Sequence, residues 1–179
     1  MKGILFLSAV LFASCSSMDK KDEKKADKEM VPTMAVSDIH SPSEKVKGAM
    51  HVEDMNDQIK ITATVTGLKP NSKHGFHIHE NGVCEGPDYK SAGGHFNPYK
   101  MPHGGPKEHK SHLGDLGNLV ADKSGVAKKE LMVPKHGSDD VAKIIGKALI
   151  VHEKADDMKT QPTGDAGGRI ACGIIKPMN

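Results

Sequence analysis

The chain has 179 residues, which is the length of a single domain. Its formal net charge is only +2, and it contains no basic block with interleaved aromatic residues, so the composition argues against a nucleic-acid partner. Aromatic residues make up 3% of the chain and tryptophan is absent, so any core must consist of Val, Ile, Leu, Ala and Met. Because such a core is thin, we expect a metal or a disulfide to reinforce it.

The N-terminus resembles an export signal. A short positive start and an apolar run over 4–13 predict a signal peptide, since the run is too short to span a bilayer. The sequence FASC at 12–15 is similar to a bacterial lipoprotein cleavage box, which implies a signal peptide of residues 1–14 and lipid on Cys15. The alternative is an ordinary signal peptide that is cleaved near Ser17.

A charged segment follows. Residues 15–30 are nearly all Lys, Asp, Glu and Ser, which predicts a flexible solvated tether before a folded domain of residues 31–179. In the lipoproteins that the start resembles, Ser16 in place of an Asp implies the outer membrane, with the protein facing the periplasm. Export favours disulfides, and Cys84 and Cys172 remain as a pair if Cys15 carries lipid.

The domain has the pattern of a β-protein. Residues 58–66 alternate between apolar and polar side chains, which predicts a half-buried strand. About eight short strands separated by turns favour an all-β barrel or sandwich. Two long segments, 80–116 and 153–168, interrupt the strands, and we expect both to be functional loops. The predicted strands are 33–37, 46–53, 58–66, 73–79, 118–121, 127–132, 147–152 and 169–175.

Histidines are concentrated in one part of the chain, since seven of the eleven lie within 74–112. Clustered histidines in a loop-rich segment indicate metal binding. His77 and His79 are two residues apart in a predicted strand, so both rings lie on one face and can reach one ion. His74 has the opposite parity and is expected to face away from that ion in a structural role.

Further along the chain, His95, His103, His112 and Asp115 offer three imidazoles and one carboxylate, a set that suits zinc. If His152 joins His77, His79 and His95, the result is an all-imidazole set that suits copper. His95 would then serve both ions.

Six motifs in this order resemble the copper–zinc superoxide dismutase family, and the resemblance covers about residues 31–175. The motifs are GFHIHE at 75–80, SAGGHFNP at 91–98, HGGP at 103–106, HLGDLGN at 112–118, VHEKADD at 151–157 and GRIACG at 168–173. Their number and order make the resemblance specific. It implies an eight-stranded Greek-key β-barrel with one copper and one zinc ion per chain.

The resemblance also implies roles for single residues. Copper is expected on His77, His79, His95 and His152, and zinc on His95, His103, His112 and Asp115. Cys84 and Cys172 are expected to form a disulfide. Asp156 is expected to link a copper-binding histidine to a zinc-binding one. The catalytic residues would be Arg169, which attracts and orients superoxide, and His95, which carries a proton.

The implied reaction is conversion of superoxide to dioxygen and hydrogen peroxide, with copper alternating between Cu(II) and Cu(I) and zinc in a structural role. The alternative is a copper or zinc storage or delivery lipoprotein without turnover, which needs the histidines but not Arg169. A purely structural zinc domain would leave His77, His79 and His152 without a role. The resemblance leaves a monomer and a homodimer open.

Overall fold

Alternating apolar and polar residues form the strands of an antiparallel barrel in the computed structural model. The structure describes residues 31–178, so the predicted signal peptide, Cys15 and the tether lie outside the described residues. No helix in this range is long and apolar enough to cross a membrane. The strands are β1 Met34–His40, β2 Lys47–Asp54, β3 Gln58–Thr66, β4 Lys73–His79, β5 Asp115–Val120, β6 Ala127–Pro134, β7 Ala148–His152, β8 Arg169–Ile174 and β9 Lys176–Pro177.

The strands follow one another around the barrel in the order β5-β4-β7-β8-β1-β2-β3-β6, and β9 pairs with β1. A bridge between Ala121 and Ala127 nearly closes the barrel between β5 and β6. The connections from β3 to β4 and from β6 to β7 each pass over two other strands, which is a Greek-key arrangement. The predicted eight-stranded all-β barrel is confirmed.

The strand bounds differ most where the sequence is rich in glycine. β5 begins at Asp115, three residues before the predicted strand, because Asp115 pairs with His77 across a β-bulge. The first long segment therefore ends at residue 114 and not at 116. Three short elements were not predicted, because five, three and two residues carry too little periodicity: the helix α1 Asp140–Ile144, a 3₁₀ turn Lys90–Ala92 and strand β9 Lys176–Pro177.

Core residues alternate with histidines along β4 and β7, so the histidines lie on the outside of the barrel. In β4, Phe76 and Ile78 belong to the main core, so the residues that alternate with them, His77 and His79, lie on the outer face. The same alternation in β7 places Val151 in the core and His152 at the outer face, next to a β-bulge. The long loops cover this face, and all three histidines are buried as a result.

A disulfide fixes the loop that follows β4. Cys84 and Cys172 are bonded, with 5.7 Å between their Cα atoms, which confirms the expected pairing. Around the bond, a second apolar cluster packs this loop against the outer side of β7 and β8, and it includes Tyr89, Ala92 and Ile150. The loop and strand β8, which begins at Arg169, are therefore held together by a covalent bond and by apolar packing.

Loss of this disulfide is expected to lower the free energy of unfolding by ~2–5 kcal/mol, because the bond closes a long loop in a small domain. Its partners are 88 residues apart in the chain. Denaturant unfolding of the Cys84→Ala/Cys172→Ala protein against wild type measures the loss. Thiol counting under denaturing, non-reducing conditions tests the bond itself, and two reactive thiols from these positions in the exported protein would contradict it.

Candidate metal centre

Four histidines converge where β4 and β7 end. His77 and His79 come from β4, His152 ends β7, and His95 lies in the loop that follows β4 and bridges back to His79. One ring nitrogen from each residue lies within 4.8 Å of the others, and all four residues are buried. We call His77, His79, His95 and His152 the all-histidine group.

A second set lies beside it and shares His95. Asp115, the first residue of β5, places Oδ1 within 2.9 Å of His95 Nδ1, 3.0 Å of His103 Nδ1 and 3.2 Å of His112 Nδ1. Its other oxygen, Oδ2, accepts hydrogen bonds from the backbone N–H groups of Gly104 and His112. We call His95, His103, His112 and Asp115 the mixed group. The carboxylate is thus fixed by the backbone, and Oδ1 faces the three imidazoles where a cation could bind.

His95 faces both groups with different atoms. Its Nδ1 lies beside Asp115, whereas its Nε2 is buried and has no hydrogen-bond partner. The centre of its ring is 4.0 Å from that of His77. One imidazole can therefore supply one nitrogen to each of two cations.

Unpaired nitrogens show that the two groups suit metal ions. Six buried ring nitrogens among residues 31–178 lack a hydrogen-bond partner. Two belong to His136, and the other four belong to the two groups: His77 Nδ1, His95 Nε2, His103 Nδ1 and His112 Nδ1. An unsatisfied buried polar atom costs ~1–3 kcal/mol, so four of them directed at two centres require partners. Four imidazoles suit copper, and three imidazoles with one carboxylate suit zinc. The residues present therefore fit both ions.

Comparison with known proteins agrees with this geometry. Residues 46–175, more than half of the chain, match the sequence model of the family described as copper/zinc superoxide dismutase. The chain belongs to this family. The superoxide dismutase [Cu-Zn] of Paramecium bursaria Chlorella virus 1 is 40% identical over 154 residues, which are 80% of this chain and 78% of that protein.

A further relative and a solved structure extend the comparison. Superoxide dismutase [Cu-Zn] 2 of Aquifex aeolicus is 35% identical over 181 residues, covering 98% of each chain. The crystal structure of the clock protein EA4 superposes with a TM-score of 0.72 at 35% identity, covering 83% of this chain and 97% of that one. The resemblance thus extends from sequence motifs to the whole barrel.

Asp156 joins the two groups of this dismutase-family chain. Its Oδ2 accepts a hydrogen bond from His77 Nε2 at 2.9 Å, and its Oδ1 accepts one from His103 Nε2 at 3.0 Å. When neutral, each ring can therefore keep its Nε2–H on Asp156 and present the lone pair of Nδ1 to its metal group. Asp156 is fully buried, so both bonds are shielded from solvent.

Asn118 holds Asp156 in turn, a role that the sequence analysis missed. Its side-chain amide donates to the Asp156 carbonyl and accepts from the Asp156 N–H, both at 2.8 Å. The carbonyl of Asn118 accepts a bond from Lys129 Nζ across the seam between β5 and β6. Asparagine is uncommon inside strands, so its presence in β5 was the signal available in the sequence.

Arg169 and the all-histidine group are connected through one shared backbone carbonyl. Its Nη1 donates to the Tyr89 carbonyl at 2.7 Å, and its Nη2 donates to the Gly93 carbonyl at 2.6 Å. The same Gly93 carbonyl accepts a bond from His79 Nδ1 at 2.9 Å. Arg169 also pairs with His152 in the register of β7 and β8. The guanidinium is therefore fixed beside two members of the group.

Burial keeps the all-histidine group neutral. It lowers the pKa of His79 to about 2, that of His152 to about 3 and that of His95 to about 4. Nearby positive charge adds to the effect, since Arg169 also lowers the pKa of His79 and of His152. A neutral imidazole offers its lone pair to a metal without first losing a proton.

The mixed group has the opposite electrostatics. Burial opposes protonation of His103, but the carboxylates of Asp115 and Asp156 outweigh it and raise its pKa to about 9. Burial would raise the pKa of Asp115, yet the three surrounding imidazoles hold it well below its usual range. A cation that binds here displaces a proton from His103 and takes its place beside an ionised carboxylate.

Two of the seven histidines within 74–112 lie outside both groups. His74 is buried and contacts the His152 carbonyl through Nδ1 at 2.8 Å and Ser72 Oγ through Nε2 at 2.6 Å, so its role is structural, as its parity predicted. His109 is exposed. Neither residue contributes to a cluster of metal-binding donors among residues 31–178.

Proposed function

We propose that the protein is a superoxide dismutase that uses one copper and one zinc ion per chain to convert superoxide to dioxygen and hydrogen peroxide. One observation carries the proposal: two complete four-donor groups share His95, and Arg169 lies beside the group that suits copper. A storage or delivery protein needs the donors but has no use for a fixed guanidinium beside them. A purely structural zinc domain is disfavoured, because it would leave His77, His79 and His152, which converge with His95, without a role.

Different residues would bind the two metals, orient the ligands and attract the substrate. His77, His79, His95 and His152 would hold copper, which when bound takes up and returns one electron. His95, His103, His112 and Asp115 would hold zinc. Asp156 keeps the His77 and His103 rings oriented, and Arg169 draws the anion toward the group. His95 Nε2 has no hydrogen-bond partner within the protein, so this nitrogen could accept a proton from solvent and pass it to the product.

One copper and one zinc are expected per chain in metal-loaded protein. Elemental analysis measures the content, and a superoxide decay assay on the same sample tests turnover. The His109→Ala variant is the control, because this exposed residue belongs to neither group, and its stoichiometry should equal that of wild type. A single bound ion per chain contradicts the two-site assignment, and full metal content without accelerated superoxide decay favours the storage protein.

We further propose that the protein is exported and anchored through lipid on Cys15, with residues 15–30 as a spacer. The signal-like start and the disulfide between Cys84 and Cys172 support export, since disulfides persist outside the cytoplasm. The FASC sequence at 12–15 supports the anchor and Ser16 supports the outer membrane, through their similarity to bacterial lipoproteins.

The Cys15→Ala protein is expected to lose processing to a membrane-bound form, because the lipid is attached to this thiol. Membrane fractionation and the mass of the mature N-terminus measure the change. Ser17→Ala retains Cys15 and should behave as wild type, whereas Ser16→Asp should shift the protein from the outer to the inner membrane. A wild-type protein that is wholly soluble in the periplasm and cleaved near Ser17 would show that the signal peptide is an ordinary one.

A further inference from the structure

A cleft that includes Arg169 in its lining contains none of the metal-group residues. Its volume is about 410 Å³, which is within the range of small-molecule sites. The turn after β1, the turn after β3 and the start of β8 form its walls. It is therefore a feature separate from the two metal groups, although Arg169 lines it.

The charge of the cleft favours an anion. Lys45, Lys69 and Arg169 line it, and Glu153 is the one carboxylate among the lining residues, which leaves a net charge of about +2. Lys45 and Lys69 are exposed, and neither forms an ion pair with any residue of the described range. Both ammonium groups are therefore available to a ligand.

The floor of the cleft is apolar. Val46 and Leu68 are buried and line the cleft, together with Ile170 and the rings of Pro42 and Pro87. Ser41 adds a buried hydroxyl, which accepts a bond from the Val46 N–H and retains its own proton for a ligand or for Ser43. An apolar floor with cations at its rim suits an anion that carries an apolar body.

We propose that this cleft binds a small phosphomonoester, with its phosphate between Lys45, Lys69 and Arg169 and its apolar part on Val46, Leu68 and Ile170. A phosphomonoester carries a charge of about −1.5 to −2 at pH 7, which matches the net charge of the lining residues. A carboxylate supplies only half of that charge, and superoxide or inorganic phosphate has no apolar part to contact the floor. The site goes beyond the proposed dismutation and does not depend on it.

Phenyl phosphate is a suitable probe, titrated into metal-loaded protein with copper in its diamagnetic Cu(I) form. Calorimetry and methyl NMR should show saturable binding, with shifts at Val46, Leu68 and Ile170. Lys45→Glu and Lys69→Glu should each weaken binding by about tenfold, since each places a repelling charge beside the anion. Lys176→Glu is the matched control, because this exposed lysine on β9 does not line the cleft, and it should bind as wild type.

Ligands that lack one of the two features test the two halves of the proposal. Benzyl alcohol, which lacks the charge, and inorganic phosphate, which lacks the apolar body, should bind at least about tenfold more weakly than phenyl phosphate. Equal binding of benzyl alcohol would overturn the anion site. Binding that survives both lysine changes but disappears in Arg169→Ala would place the anion at the metal centre and also overturn it, as would the absence of saturable binding.

Occupancy of the cleft has a consequence for the proposed enzyme, and only this consequence rests on the proposed function. Because Arg169 lines the cleft, a bound phosphate should compete for its guanidinium and lower the second-order rate of superoxide decay. The binding isotherm is read without turnover, so a failure of the cleft and a failure of the dismutation proposal are distinguishable.

Discussion

The Asp156→Asn protein is expected to bind metal ~10–100-fold more weakly, the usual loss when a group that orients a metal ligand is changed. Asp156 accepts one N–H from His77 and one from His103, through separate oxygens. An asparagine has one acceptor oxygen and one NH₂ group, so one of the two rings must face a donor. That ring must rotate or present the wrong nitrogen to its group. Chelator competition at fixed pH, followed separately for copper and zinc, measures the loss.

Asp165→Asn provides a matched control for this substitution. Asp165 lies in the same loop and is exposed, and its left-handed backbone, with φ of 50°, is one that asparagine also adopts. It should retain wild-type metal affinity. Equal affinities of Asp156→Asn and wild type for both metals would show that the two hydrogen bonds do not orient the rings, and that the backbone alone sets their positions.

Strand alternation alone predicted that two donors of the all-histidine group share one face. His77 and His79 lie on one face of a strand whose other face enters the core, and this alternation is visible without a structure. Three other donors, His95, His103 and His112, lie in loops that carry no periodicity. Their convergence came from the family resemblance, and the structure shows them around Asp115.

The parts that the sequence did not predict depend on backbone atoms. The Gly93 carbonyl joins Arg169 to His79, and its direction is set by a backbone with φ of 73° at Gly93, in a loop held by the disulfide and the cluster around Tyr89. A carbonyl oxygen is common to every residue, so no residue type marks it. The clamp between Asn118 and Asp156 also joins residues that are distant in the chain, and only the fold brings them together.

The structure refines the expectation for Arg169. Two of its N–H groups are bonded to the carbonyls of Tyr89 and Gly93, so the side chain is held in place before any anion arrives. The other N–H groups of the fork remain for a substrate. The disulfide between Cys84 and Cys172 supports this arrangement, since it ties the loop that supplies both carbonyls to the strand that carries Arg169.

Arg169→Ala is expected to lower the second-order rate of superoxide decay by about tenfold or more, because focused positive charge raises association rates by ~10–10³. Metal content should be unchanged, since Arg169 belongs to neither donor group. Arg169→Lys should lose less, because it keeps the charge although not the fork. Arg169→Gln separates the two effects: it is neutral, but its amide can still donate to one of the carbonyls. It should therefore be nearly as slow as Arg169→Ala.

Ionic strength identifies the electrostatic part of this loss. The Debye length falls from ~30 Å at 0.01 M to ~10 Å at 0.1 M salt, so the wild-type rate should fall over this range and the Arg169→Ala rate should fall less. Lys176→Ala removes the same charge from β9, away from the carbonyls that hold Arg169, and should keep the wild-type rate and salt response. A fully metallated Arg169→Ala protein with the wild-type rate at low salt would show that Arg169 does not guide superoxide, and that its two carbonyl contacts serve only to hold the loop on β8.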